Sequence, residues 1–145
     1  MLHSRNTLRP LLFWADEDLQ PDLALVLVDA DGKEERQAEL DSAIQGVPVE
    51  TILSVAVQEF EAWLIADPKA LESVIRKTLS PPKPPERLGR CEAKELLQQW
   101  SEQYASKKEP AEIRRQLACE CDLDVLARTC TAFAEFLRRL AAPLA

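Results

Sequence analysis

Three glycines and a single histidine are all that 145 residues contain. So few glycines leave no glycine-rich loop to cradle a phosphate, and no G-x-S-x-G elbow is present. His3, the lone histidine, supports no histidine-based acid–base system. No apolar run approaches the roughly 20 residues that a spanning helix needs. The N-terminus offers only the short apolar piece LLFWA and no small-residue cleavage site, so no signal peptide and no membrane partner are expected. The chain is read as cytoplasmic. Its cysteines, Cys91, Cys119, Cys121 and Cys130, lack paired Cys-x-x-Cys knuckles and a nearby histidine. Free buried thiols are therefore expected, not zinc ligands. With these chemistries set aside, any reaction here must rest on carboxylates and a metal ion.

Positive charge is also in short supply, with 18 basic residues against 25 acidic ones and a net charge of -7. That balance favours solubility and opposes wholesale wrapping by nucleic acid, while leaving room for a local basic patch. Hydrophobic residues make up 46% and charged residues 30%, as in a soluble globular chain with one core. One domain is expected over residues 1–145, with an α/β core over 1–79, a proline-rich loop over 80–91 and a helical extension over 92–145.

Helical spacing of Leu8, Leu11, Leu12 and Ala15 predicts a helix over 6–19. Gln20-Pro21-Asp22 breaks it. The continuous apolar run LALVLV (23–28) has strand length and suits a strand covered on both faces. KEERQAELDSAIQG then reads as a polar amphipathic helix with Gly46 at its end, and VPVETILSVAV (47–57) as a second strand. Strand, helix and strand make a βαβ unit, whose crossover is expected to be right-handed. Phe60, Trp63 and Leu64, then Leu71, Val74 and Ile75, return to helical spacing, with Asp67-Pro68 as a cap between them. SPPKPPERLGR (80–90) is a loop, and helices follow at about 92–105, 110–120, 122–128 and 131–141. Two strands alone would leave both sheet edges open, so the expectation is a third strand hidden in the chain, pairing from another subunit, or an N-terminal strand absent from this polypeptide.

Three features stand out chemically. Asp29 and Asp31 end the first strand one residue apart, and i and i+2 on a strand share a face. Two carboxylates at the carboxyl end of a buried strand lie where open α/β sheets bind ligands, and a cation such as magnesium relieves their repulsion. The alternative is a polar turn, with Asp29 capping the next helix and Asp31-Gly32 reversing the chain. Second, Glu59 and Glu61 lie about 200° apart if both are helical, so one of them is expected to join the aspartates. If the strand runs on through Glu59, the pair shares a face. An acidic helix N-terminus, favoured by the dipole, is the plainer explanation. Third, residues 69–94 hold seven basic and three acidic residues, a surplus suited to a phosphate backbone or simply to solvent. No aromatic residue interleaves them, which weakens a base-stacking role.

LVLVDADG followed by VAVQEFEAWLIADPKAL resembles the DUF4276 family, which is similar to the TOPRIM fold and related to RloG-type proteins found beside defence genes. PPERLGRCEAK resembles that family's Pro-Glu…Pro-Lys segment, and RTCTAFAEFLRRL its Arg-Ser-x-Ser-Phe helix. The resemblance runs from Leu8 to Leu140. It implies a TOPRIM-like parallel sheet core of few strands, with a largely helical C-terminal half. It also implies magnesium (or manganese) held by Asp29 and Asp31, supplemented by Glu59 or Glu61, for phosphoryl transfer on nucleic acid of the nuclease kind. Family blocks place Trp63 and Asp67 near that site as well. DNA or RNA would be the substrate, with Lys83, Arg87, Arg90 and Lys94 contacting phosphate. Members of the family begin with a glutamate-bearing strand in a motif like Glu-Gly-x-Thr-Glu, and no such strand precedes Leu8. The missing piece would be the central strand and a third ligand, so the chain is expected to be truncated, a partial gene product, or completed by another polypeptide, as a homodimer or with a partner chain that supplies a strand. The rival expectation is a non-catalytic interaction domain that pairs through its exposed sheet edge, with Trp63 and Trp100 as core or interface anchors.

Overall fold

A computed structural model describes residues 5–142, with side chains from Thr7 onward. His3 lies outside the described residues. Helix α1 (Arg5–Leu19) buries Leu8 and Leu12, two of the positions its apolar spacing marks. After a turn at Gln20 the chain enters strand β1 (Ala24–Asp29). Helix α2 (Arg36–Ile44) returns it to strand β2 (Thr51–Ala56), which lies parallel to β1. Ala24 stands opposite Thr51, and Asp29 opposite Ala56.

Both ends of this βαβ unit differ from the simple reading. The second strand is shorter than 47–57, because Pro48 has no amide to give a ladder and the chain bends at Val57 and Gln58. The first strand stops at Asp29. Asp31 (φ +52°) and Gly32 (φ +72°) then take left-handed backbone, and Lys33 N–H closes the turn on the Ala30 carbonyl at 3.0 Å. A Cβ at Gly32 would lie 2.9 Å from Nε2 at the flexible end of Gln58, which can swing aside, so it is the left-handed φ that calls for glycine here.

One sheet face carries Val26, Val28 and Leu53 against Leu8, Leu12, Leu40 and Ala43 of α1 and α2. Helix α8 (Thr131–Ala141) packs on β2 and closes a cluster of Ala56, Trp63, Phe133 and Cys130. The other face of β1 is bare, with Leu25 56% and Leu27 50% exposed. The helical half has its own core. Helices α3 (Glu61–Leu64), α4 (Pro68–Ile75), α5 (Glu92–Tyr104) and α6 (Pro110–Glu120) enclose Leu71, Ile75, Leu97, Ile113 and Leu117. Asp67 caps α4 as its place before Pro68 suggests, accepting from Lys69 N–H at 2.9 Å and Ala70 N–H at 3.4 Å. Its second oxygen accepts from Asp122 N–H, at the start of α7 (Leu123–Thr129).

The fold is thus mixed α/β, with a two-stranded parallel sheet among the described residues and a mainly helical C-terminal half. Among the described residues no helix is long and apolar enough to cross a membrane.

Candidate functional site

Asp29 closes β1, and beyond Ala56 the other strand runs through Val57 and Gln58 to Glu59 before α3 begins. Asp29 Oδ1 accepts from Phe60 N–H at 2.9 Å, which draws this non-helical segment onto the strand end. Glu59 and Glu61 therefore flank a residue held by Asp29. Because Glu59 is not helical, the 200° separation of a helix does not apply. Both glutamates, where only one was expected, face the same point.

A lysine occupies that point. Lys94, in the first turn of α5, puts its Nζ 3.1 Å from Glu59 Oε1, 3.5 Å from Asp29 Oδ2 and 4.0 Å from Glu61 Oε2. The remaining oxygen of each carboxylate is held elsewhere by the protein. Phe60 N–H holds Asp29, the backbone N–H of Lys94 holds Glu59 Oε2 at 3.2 Å, and Arg114 Nε of α6 holds Glu61 Oε1 at 3.3 Å. Glu59 and Glu61 are each 2% exposed. Among the described residues Glu61 Oε2 is buried with no hydrogen-bond partner. Three carboxylates thus meet two cationic side chains, a deficit of positive charge in a largely buried place.

The electrostatics follow from that burial. Burial pushes the Glu61 carboxyl above its ordinary value; its own backbone amide, Lys94 and Arg114 pull it down without offsetting the effect, and Asp29 adds to the rise. Burial alone would lower the Lys94 ammonium. Its hydrogen bond to Glu59 and the attraction of Glu61, Glu59 and Asp29 prevail and raise it. A carboxyl raised in the fold contributes stability only while protonated, and loses it as pH rises through the folded value. Glu61→Gln is therefore expected to melt at a higher temperature than the parent at pH 7 and at the same temperature near pH 4. A lower melting temperature at pH 7 would mean that the ionised carboxylate is a net stabiliser.

The other predicted residues disperse. Asp31 lies beyond the strand end in left-handed backbone, so the strand rule that sets i and i+2 on one face does not apply to it; its N–H donates to the Gln58 carbonyl at 3.2 Å. Among the described residues its carboxylate makes no hydrogen bond or ion pair. Asp67 is occupied in capping, and Trp63 donates Nε1–H to Glu86 at 3.0 Å from within the core. Lys83 pairs with Glu92 at 3.4 Å, while Arg87 and Arg90 are exposed. Arg114 had no sequence signal. Lys94 had one, since a cation in a helix's first turn opposes the dipole and calls for an anionic partner.

The cysteines are free, and they divide into two pairs. Cys91 and Cys119 are exposed, against the expectation of burial, whereas Cys130 is buried and Cys121 half-buried. Burial, then Asp67 and Glu120, pushes the Cys121 thiol up to about 12. Burial, then Glu86, does the same for Cys130, also to about 12. Alkylation of the native protein at pH 8, followed by peptide mass spectrometry, is expected to label Cys91 and Cys119 and to reach the other two only in denaturant. Labelling of Cys130 at the rate of Cys119 would contradict this.

Asp29, Glu59 and Glu61 form an all-oxygen donor set. Each carboxylate is oriented by a protein donor through one oxygen, and each turns the other to a common centre. That arrangement suits a hard divalent cation such as Mg²⁺ or Mn²⁺ in donor chemistry and in outer-shell support. Among the described residues no three such side chains stand in a ready-made ion-holding arrangement; the ammonium takes the centre. A family model described as a domain of unknown function (DUF4276) matches residues 3–141. No curated protein and no solved structure matches the chain.

Proposed function

The chain belongs to the DUF4276 family of unknown function, and from its carboxylate cluster we propose a divalent-cation site that serves phosphoryl transfer on nucleic acid. The observation that carries this reading is Glu61 Oε2, buried without a hydrogen bond among the described residues and facing only the Lys94 ammonium at 4.0 Å, turned with Asp29 Oδ2 and Glu59 Oε1 toward one cation position. Asp29, Glu59 and Glu61 would hold Mg²⁺ or Mn²⁺. A bound ion of this kind neutralises phosphate charge and lowers the pKa of its water. Around it, Phe60 N–H and Arg114 keep Asp29 and Glu61 oriented. Arg87 and Arg90, on the chain leading into α5, supply exposed positive charge for a phosphate backbone. The resemblance to TOPRIM-like and RloG-type proteins is what suggests a nuclease in a defence-related setting.

Asp29→Asn tests the site. Asparagine keeps an oxygen for Phe60 N–H, so the turn should survive while the anionic oxygen is lost. Mn²⁺ affinity is expected to fall by about 10–100-fold, and metal-dependent cleavage of DNA or RNA to disappear, with the far-UV dichroism unchanged. A variant that binds Mn²⁺ and cuts as well as the parent would place the activity elsewhere.

A second reading is favoured by β1 itself. Ala24 N–H donates to the Glu50 carbonyl and Ala30 N–H to that of Ala56. Even-numbered amides of β1 therefore face β2, and those of Leu25 and Leu27 face the open edge. Their side chains are at least half exposed. On this reading the protein is an interaction module that adds a strand from a second copy or a partner chain by β-augmentation. A concentration-dependent dimer that Leu27→Lys dissociates, in a protein that binds no Mn²⁺, would favour it over the first.

A further inference from the structure

The geometry points to Lys94 as a displaceable internal cation that occupies the seat of the divalent ion and must leave before that ion can bind. The inference rests on the divalent-cation reading of the same three carboxylates. Lys94 Nζ stands where one oxygen each of Asp29, Glu59 and Glu61 converges, at 3.5, 3.1 and 4.0 Å. An ammonium and a divalent ion cannot share that centre, because like charges at such distances repel strongly.

Departure is easy for this residue and hard for the others. The Lys94 side chain is 40% exposed, against 2–3% for the two glutamates. Its stem is four flexible carbons, and its ammonium regains hydration outside. Its backbone stays anchored, because the N–H donates to Glu59 Oε2 independently of the side chain. Arg114 cannot take its place at the centre without giving up Glu61 Oε1. The lysine therefore prevents two buried carboxylates and the half-buried Asp29 from facing one another bare when no metal is bound. Metal binding exchanges one positive charge for two and releases the ammonium to solvent. The phosphate contact expected of Lys94 then becomes available only after the metal has entered, so the order of binding is metal first and nucleic acid second.

The experiment is a Mn²⁺ titration of the full chain, read by calorimetry, with Lys94→Met and Asp29→Asn alongside. Acylation of Lys94 in the wild type, with and without saturating Mn²⁺, is read by peptide mass spectrometry, with Lys107 as the exposed control. Lys94→Met is expected to bind Mn²⁺ about tenfold tighter than the parent. Mn²⁺ is expected to raise Lys94 acylation severalfold and leave Lys107 unchanged. The acylation arm needs no variant, so a poorly folded Lys94→Met would not shield the idea. Mn²⁺ binding that Asp29→Asn abolishes, with Lys94 acylation unmoved, would overturn the exchange and leave the metal site standing. No Mn²⁺ binding by parent or variant would overturn both.

Discussion

Trp63→Ala is expected to destabilise the protein by about 3–5 kcal/mol, the range for deleting a large buried aromatic side chain. Trp63 is 4% exposed and meets Phe133 edge-on, with ring centroids 5.2 Å apart. It joins the cluster under α8 to the short helix that carries Glu61. Its Nε1–H also bonds Glu86 of the proline-rich loop, and Glu86 in turn accepts from Ala132 N–H at the start of α8. Removing the indole opens a cavity and frees one of the two residues that donate to Glu86. Trp63→Phe keeps most of the ring volume and is expected to lose about 1 kcal/mol, the net worth of one hydrogen bond. Urea unfolding of both variants measures the difference. A cost below about 1 kcal/mol for Trp63→Ala would mean that the cluster collapses around the gap, and that Trp63 is no anchor.

Lys94→Met is expected to cost about 2–3 kcal/mol at pH 7 in the absence of metal. Breaking a buried ion pair from one side typically costs about 3–5 kcal/mol. Lys94 is 40% exposed, so solvent screening reduces the figure here. The variant leaves Asp29, Glu59 and Glu61 facing one another with only Arg114 nearby. Lys94 is one of the charges that pull the Glu61 carboxyl down, so without it burial raises that carboxyl further. Stability is then present while Glu61 is protonated and is lost as pH rises through the raised value. The deficit should shrink as pH falls toward the ordinary carboxylate range. Saturating Mn²⁺ should also shrink it, by binding only the folded form. For the parent, the raised Lys94 ammonium contributes stability below its ordinary value of 10.5 and loses it above the folded value, so its advantage over Lys94→Met fades in strong alkali. Equal melting temperatures at pH 7 would show that the ammonium does not hold the cluster together.

Much of the fold was legible because it is local. A 3.6-residue apolar period marks α1 and α5 to α8, a continuous apolar run marks β1, and Asp67-Pro68 marks the start of α4. Local rules stop where one residue's backbone decides. Strand alternation puts Asp31 on the face of Asp29, but left-handed φ at Asp31 and Gly32 ends the strand first. The candidate site is legible as a set of residue types and illegible as an arrangement. Asp29, Glu59, Glu61 and Lys94 each stand out in the sequence. The basic surplus of 69–94 suits Lys94 to phosphate, whereas in the fold its ammonium meets the carboxylates.

The amino-acid sequence by itself determined the βαβ unit and the helical second half, since periodicity and caps act over a few neighbours. Only the tertiary structure decided which charges meet. Asp29, Glu59, Glu61, Lys94 and Arg114 come from β1, the turn after β2, α3, α5 and α6, and their convergence depends on how two cores pack against one strand end. Charges so far apart along the chain leave no periodic trace. Their energies arise only when burial removes the water between them.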